Sequence, residues 1–259
     1  MNWSAVRKAR VVVSLAFLIA VSVIFVDFTG LVPRAAFDAL TYLQFVPSTM
    51  DFITAPALAA AGVLFVLALT LLFGRVYCSS VCPLGALQDV VSRLGLRARK
   101  KRRPRHSYRK EDAALRYGIL GATVAAFFAG SLILVNLLDP FSAFGRIAAW
   151  LFRPAAVWGN NLAYGALEAF EIYAIYPHDV KGITIVALAV PLLTLGVVAW
   201  LSWSRGRRYC NAVCPVGSLL GLAAKLSLFK IRIKDDACTL CGACETQCKG
   251  ECIDSKNKR

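Results

Sequence analysis

The chain has 259 residues, of which 58% are hydrophobic and only 17% charged, with a mean hydropathy of +0.61. That composition is too apolar for a soluble or disordered domain and predicts a membrane protein. The net charge of +15 therefore has to be explained by where the cations lie before it is taken as a sign of nucleic-acid binding.

Arg7, Lys8 and Arg10 precede a first apolar stretch, Val11–Phe28. Three more follow at Phe52–Phe73, Tyr117–Leu138 and Ile183–Trp203. At ~1.5 Å per residue each is long enough to cross a hydrocarbon core of about 30 Å. Their interiors hold no Lys, Arg, His, Asp or Glu, and Asp27 sits at one end of the first. A cleaved signal peptide is the alternative for that stretch, but no small-residue cleavage site follows closely, so an uncleaved helix is expected.

Of the 30 Lys and Arg, 26 fall before the first stretch, between Arg75 and Arg116, or after Trp203, and only Arg34, Arg146, Arg153 and Lys181 lie on the other side. Positive loops stay in the cytoplasm. The expected location is thus a bacterial inner membrane, spanned several times, with both termini cytoplasmic. The run Arg97–Lys110, with nine cations in fourteen residues, then suits anionic lipid rather than nucleic acid.

All nine cysteines fall into three groups on the cytoplasmic side of this topology: Cys78 and Cys82, Cys210 and Cys214, and Cys238, Cys241, Cys244, Cys248 and Cys252. Thiols there stay reduced, which favours metal ligation over disulfides. The first two groups belong to an internal repeat. Gly74–Leu96 and Gly206–Leu228 align without gaps at an offset of 132, with 11 of 23 positions identical. Each copy carries Gly-Arg-x-Tyr-Cys-x3-Cys-Pro-x-Gly after a span, loop and span. Parallel repeats imply a pseudo-two-fold axis along the membrane normal, which would bring four thiols together.

Pro83 and Pro215 suit the first position of a helix. Leu84, Leu87, Val90, Val91 and Leu94 keep helical spacing, as do Val216, Leu219, Leu220, Ala223 and Leu226, so each motif is expected to open an amphipathic helix lying against the membrane. Iron–sulfur ligation, zinc and small buried hydrophobes are the three readings of these four cysteines. The last group is more specific: C-x2-C-x2-C-x3-C is a bacterial ferredoxin spacing for [4Fe–4S]. Cys238, Cys241 and Cys244 need one further ligand, Cys248 or Cys252, and the usual Pro after the run is replaced by Lys249.

The paired C-x3-CP phrase, followed by a ferredoxin run, resembles the NapH/NosR family of membrane iron–sulfur proteins over nearly the whole chain. That resemblance implies a polyferredoxin-like protein that takes electrons from quinol and hands them to a partner redox protein, a candidate quinol dehydrogenase subunit. Leu138–Arg146 is similar to an outer-loop segment of related proteins. Two features depart from the family. Members commonly carry two ferredoxin runs and this sequence has one, which leaves one or two clusters. The outer loops, about 20 and 44 residues, have no room for the flavin domain of NosR proteins.

The only histidines, His106 and His178, lie in loops on opposite sides, so no haem is expected. No P-loop or G-x-G-x-x-G occurs, so neither ATP nor NAD is expected, and the absence of mid-membrane charge argues against a pump. Loop 139–182 is rich in aromatics, as an interfacial belt would be. Asp139, Arg146 and His178 are its candidates for a quinone site.

The sequence thus predicts an all-α membrane protein of four transmembrane helices in two parallel repeats, 1–112 and 113–230, with a small ferredoxin-like tail, 231–259. The expected function is electron transfer between the quinone pool and a redox partner or neighbouring subunit. A cytoplasm-facing metal reductase or cofactor-assembly factor, and a zinc-stabilised scaffold, are the alternatives.

Overall fold

The computed structural model describes residues 3–54, 56–98, 108, 110, 112–168, 170–171, 175–179, 184–229, 233 and 238–257. Most of the basic run 97–110 lies outside them. Among the described residues every regular element is helical. In chain order these are α1 (Trp3–Val26), α2 (Arg34–Tyr42), α3 (Phe45–Thr54), α4 (Pro56–Phe73), α5 (Val76–Ser80), α6 (Pro83–Ala98), α7 (Ala113–Phe128), α8 (Ile133–Leu138), α9 (Pro140–Ile147), α10 (Arg153–Glu168), α11 (Ile185–Arg205), α12 (Pro215–Ala223) and α13 (Ala243–Gln247).

Two described helical segments are long and apolar enough to cross a membrane, Ala5–Val26 and Ile185–Ser204, and both expose most of their side chains. The core helix of a soluble protein would be buried. Beside Val21, Val66 and Val198, these helices and their neighbours bury small polar residues: Ser14 in α1, Thr70 in α4, Thr123 in α7 and Ser202 in α11. Thr70 and Thr123 return their hydroxyls to carbonyls one turn back, Val66 O at 2.7 Å and Ile119 O at 2.8 Å. Ile185, Val186, Leu193 and Trp200 of α11 point outward. This inverts the usual inside–outside order and matches packing in lipid, where small residues let helices approach. α1 also takes part in the core, since Val21 is fully buried and the Phe25 ring packs on Phe141 at 5.4 Å.

The other two expected spans are not single helices. Tyr117–Leu138 is cut after Phe128 by a helix-ending turn in which Gly130 (φ +79°) takes the left-handed conformation. Gly130 N–H donates to Phe127 O and Ser131 N–H to Ala126 O, the Schellman pattern. The 16-residue α7 is therefore only about 24 Å long, and α8 follows separately. Phe52–Phe73 is divided between α3 and α4, with Pro56 opening the second helix.

A second correction concerns the stretch after Asp139. Residues 140–168 were expected to lie in a loop, but they form α9, a π-helical turn at Ala148–Phe152, and α10. Phe141, Ala143, Phe144, Ile147 and Ala148 belong to the same buried cluster as Cys78, Cys82 and Cys214. Loop aromatics were read from composition, whereas the apolar residues at 141, 144, 147 and 148 keep a helical period that went unused.

α6 lies along α11 and on α1, and α12 lies on α7 and α4, so each motif helix packs on both halves of the chain. The end of each motif segment meets the last turn of the span before the other motif. A Cβ on Gly95 would meet Trp203 within 3.0–3.2 Å, while Leu228 and Phe229 donate backbone N–H to Leu71 and Leu72 (2.8 and 3.0 Å) and Phe229 stacks on Phe73. The expected apolar face of α6 is also revised: its buried stripe is Leu84, Gln88, Ser92 and Gly95, and Leu94 is half exposed. In α12 Leu219 points outward while Ser218 and Gly221 are buried, and Leu226, in the turn that follows, is exposed. Leu84, Val216 and Leu220 are buried as expected, while the other large apolar residues of these faces are only partly buried or exposed.

Candidate metal centre

Each motif residue has a mechanical task. Gly74 (φ +75°) and Gly206 (φ +67°) end α4 and α11 in conformations that a Cβ would resist. The chain then turns inward, and Tyr77 and Tyr209 are buried. Tyr77 Oη donates to Gln44 Oε1 (3.0 Å) and accepts from Phe45 N–H (3.1 Å), while Tyr209 Oη donates to Leu138 O (3.3 Å). Pro83 and Pro215 occupy the first helical positions, as expected. Gly85 and Gly217 lie so close to the carbonyls of Cys78 and Cys210 that neither could carry a Cβ without a shift.

The fold buries all four cysteines of the repeat. Cys214 caps α12, with Gly217 N–H donating to its Sγ at 3.3 Å, and Gly85 N–H supplies the same backbone bond to Cys82. These are helix N-termini aimed at sulfur, which favour the thiolate form. Burial opposes it and pushes Cys78 up to about 12, with repulsion from Cys210 adding to the effect. Cys82 and Cys214 are raised well above the ordinary value by burial first, then by Cys210 and Cys78. Cys210 and Cys78 each act on the other buried sulfurs, which places the four within electrostatic reach of one another. Among the described residues, no three His, Cys, Asp or Glu side chains are grouped tightly enough to close on one metal ion. As a donor set, four buried thiols with amide N–H groups behind two of them fit a [4Fe–4S] group, whose cationic iron core would relieve their repulsion.

The tail is docked on this locus. Asp89 of α6 takes Arg207 through both oxygens, Nε and Nη2 each at 2.8 Å, and Lys249 Nζ at 2.6 Å. Arg207 N–H donates to Lys249 O (3.1 Å), Asn211 Nδ2 to Gly250 O (2.9 Å), and Arg75 Nη1 to Asn211 Oδ1 (2.7 Å). Tyr108 N–H further tethers Glu245 (2.7 Å). Lys249, the departure from the ferredoxin spacing, is thus one of the residues that hold the tail. The sequence offered one signal for it: position 89 is acidic in the first copy and its equivalent, 221, is glycine.

Within the tail, Gly242 (φ +68°) precedes the short α13. Ala243 N–H and Thr239 hold the Cys241 thiol below its ordinary value. Cys248 and Cys252 sulfurs stand 3.4 Å apart, and the hydrogen bond between them draws the Cys248 thiol down and raises Cys252. Cys238 is half-buried and Cys244 exposed.

The quinone-site candidates separate. Asp139 is buried as the cap of α9, accepting Ser142 N–H at 2.7 Å. Arg146, about two turns later, donates to Asn136 O and Leu137 O (2.7 and 2.9 Å). His178 sits elsewhere, its backbone N–H held by Asn161 (2.9 Å) and its ring edge-on to Phe28.

The 4Fe-4S binding domain family matches this chain at residues 55–104 and 186–234, once for each copy of the motif. The chain is 31% identical over 199 residues to the methylamine utilization ferredoxin-type protein MauN of Paracoccus denitrificans, covering 76% of this chain and 55% of that protein. It is 28% identical to the putative electron transport protein YccM of Escherichia coli, with coverages of 74% and 47%. Against the ferredoxin-type protein NapH of Haemophilus influenzae it is 26% identical, with coverages of 80% and 62%. The chain therefore spans roughly half to two thirds of the length of these curated relatives. No solved structure matches it.

Proposed function

We propose that this chain, a NapH-type 4Fe–4S protein by its family match and its relatives, is an iron–sulfur carrier that moves electrons between the membrane quinone pool and a partner redox protein or neighbouring subunit. In this reading Cys78, Cys82, Cys210 and Cys214 hold one centre. Cys238, Cys241 and Cys244, with Cys248 or Cys252, hold a second. When bound, [4Fe–4S] groups supply one-electron transfer. The chain crosses a bacterial inner membrane four times in two repeats, 1–112 and 113–230, with both termini and the tail in the cytoplasm and the basic run against anionic lipid. Asp139 and Arg146, beside the cysteine core, are the residues this reading assigns to quinone.

The observation that carries it is the docking of the tail. Lys249 and Gly250 are bonded to Arg207 and Asn211, which sets the Cys248–Cys252 loop against the turn bearing Cys210. A scaffold has no need for that proximity, and a relay does. The test is the full chain reconstituted in liposomes with a reduced quinol. Quinol should bleach the visible iron–sulfur absorbance, and the bleaching should diminish in Asp139→Asn. Clusters that respond to dithionite but not to any membrane quinol would overturn the quinol reading.

A further inference from the structure

The two copies of the motif present the same cysteines but not the same surroundings. Gln88 of α6 is fully buried, and its Nε2 donates to Cys210 Sγ at 3.1 Å. The position 132 residues later is Leu220, also fully buried, which has no hydrogen to give. One of the four buried sulfurs thus receives a side-chain amide from the opposite copy, and its counterpart Cys78 does not receive one from position 220. The orientation of the amide is chemically determined. A ligating thiolate can only accept, so the NH2 end faces it, and Gln88 Oε1 is left buried without a described partner. An unpartnered buried carbonyl oxygen is costly, and a leucine would remove that cost. The glutamine is therefore there for the sulfur.

We infer that Gln88 is a positioning residue that sets the reduction potential of the centre held by Cys78, Cys82, Cys210 and Cys214, and that it makes the two halves of that centre electronically unequal. The inference rests on the proposed ligand set. Hydrogen bonds to ligand sulfur are among the factors that fix iron–sulfur potentials. One-electron reduction adds negative charge that the sulfurs share, and an N–H aimed at one of them favours the reduced state. Arg207 and Arg75 act in the same direction, but each acts on both Cys78 and Cys210, which leaves the Gln88 amide as the donor that tells the two sulfurs apart. The extra electron density is then drawn toward Cys210, on the side where Asn211 binds the tail.

The experiment is a redox titration of the full-length protein in detergent, followed by low-temperature electron paramagnetic resonance. The signal lost in Cys210→Ser identifies the buried centre. Gln88→Met keeps the volume and removes the donor. It should leave iron content unchanged and lower the midpoint, making the centre about tenfold less reduced at a fixed potential, which is 59 mV for a one-electron couple. Leu220→Met, the same-sized change at the equivalent position, should leave the midpoint where it was. Should Gln88→Met fail to assemble the centre, Leu220→Gln carries the test by adding a second amide and raising the midpoint. Retained iron with an unmoved midpoint in the variant that assembles overturns the inference. If Cys210→Ser loses no iron and no signal, the ligand set itself is wrong, a separate failure.

Discussion

The first C-x3-CP turn and the second are built by the same backbone devices and used differently. Both have a positive-φ glycine that ends the preceding helix, a buried tyrosine, a proline at the first helical position and a glycine pressed on a cysteine carbonyl. What differs is the ring of side chains around them. The first copy supplies Gln88 and Asp89, the second supplies Leu220 and Gly221 in the same places. Asp89 reaches across to Arg207 and Lys249, and so the tail docks on the second turn. At Gly221 the space that a side chain would fill is taken by Arg75 and Arg116. Duplication fixed where four sulfurs go, and divergence at two adjacent positions decided which side the second set of cysteines approaches.

The largest expected effect tests what the copies share. If Cys78, Cys82, Cys210 and Cys214 serve one centre, Cys78→Ser and Cys210→Ser should each remove about four irons per chain, the content of one cubane. The double variant should lose little more than either single, because a centre that lacks one ligand has already lost most of its stability. Iron and sulfide analysis decides it. Additive losses, or loss in only one of the two, would mean that each turn serves a separate centre.

Much of this shared part was legible in the sequence. The 132-residue offset, Pro83 and Pro215, and the helices they open could be read directly because they follow local backbone rules. The buried faces could not. Leu94 and Leu226 carry the apolar spacing and face outward, while Gln88, Ser92, Gly95 and Ser218 face inward. Leu84, Val216 and Leu220 keep the same spacing and are buried, so where lipid is the solvent apolar spacing alone does not tell the buried face from the outer one. The break at Gly130 was hidden for a related reason. Tyr117–Leu138 is apolar throughout, and a run defined by hydropathy carries no information about a single left-handed residue. The tail's position was also out of reach, since it depends on pairing Asp89 with residues 118 and 160 positions away.

An intermediate effect tests what the copies do not share. The Asp89 and Arg207 side chains are each 13% exposed, so Asp89→Asn leaves a mostly buried guanidinium without its carboxylate. The cost lies between the ~1 kcal/mol of an exposed pair and the ~3–5 kcal/mol of a buried one, toward the upper end. The expected readout is faster proteolysis of the tail within residues 238–257, with iron at the four repeat cysteines retained. The pH dependence has a definite sign. Burial alone would raise the Asp89 carboxyl, but Arg207 and Lys249 outweigh it and hold it below the ordinary value. A depressed carboxyl contributes stability that is fully present above its unfolded pKa of about 4 and is lost as pH falls through the lower folded value. Tail protection should thus be flat from pH 8 to about 5 and decline only below about 4. A decline centred between pH 6 and 7 would show that some group other than Asp89 holds the tail.

The smallest effect separates the two cations that share Asp89. Lys249→Met keeps most of the stem and removes the ammonium, which is 26% exposed and so is partly screened by water and salt. Asp89 keeps its two bonds from Arg207, and the tail keeps the backbone bonds from Arg207 N–H to Lys249 O and from Asn211 to Gly250 O. The loss should be about 1 kcal/mol, or roughly fivefold in the ratio of docked to undocked tail. It should vanish at high salt, where the wild-type pair is itself weakened, and Lys249→Arg should restore most of it. Hydrogen exchange at residues 248–252, compared between Lys249→Met and Asp89→Asn, ranks the two contributions. If Lys249→Met opens the tail as far as Asp89→Asn does, the ammonium and not the bidentate arginine is the principal clamp. The asymmetry between the copies would then rest on the one residue that replaces the ferredoxin proline.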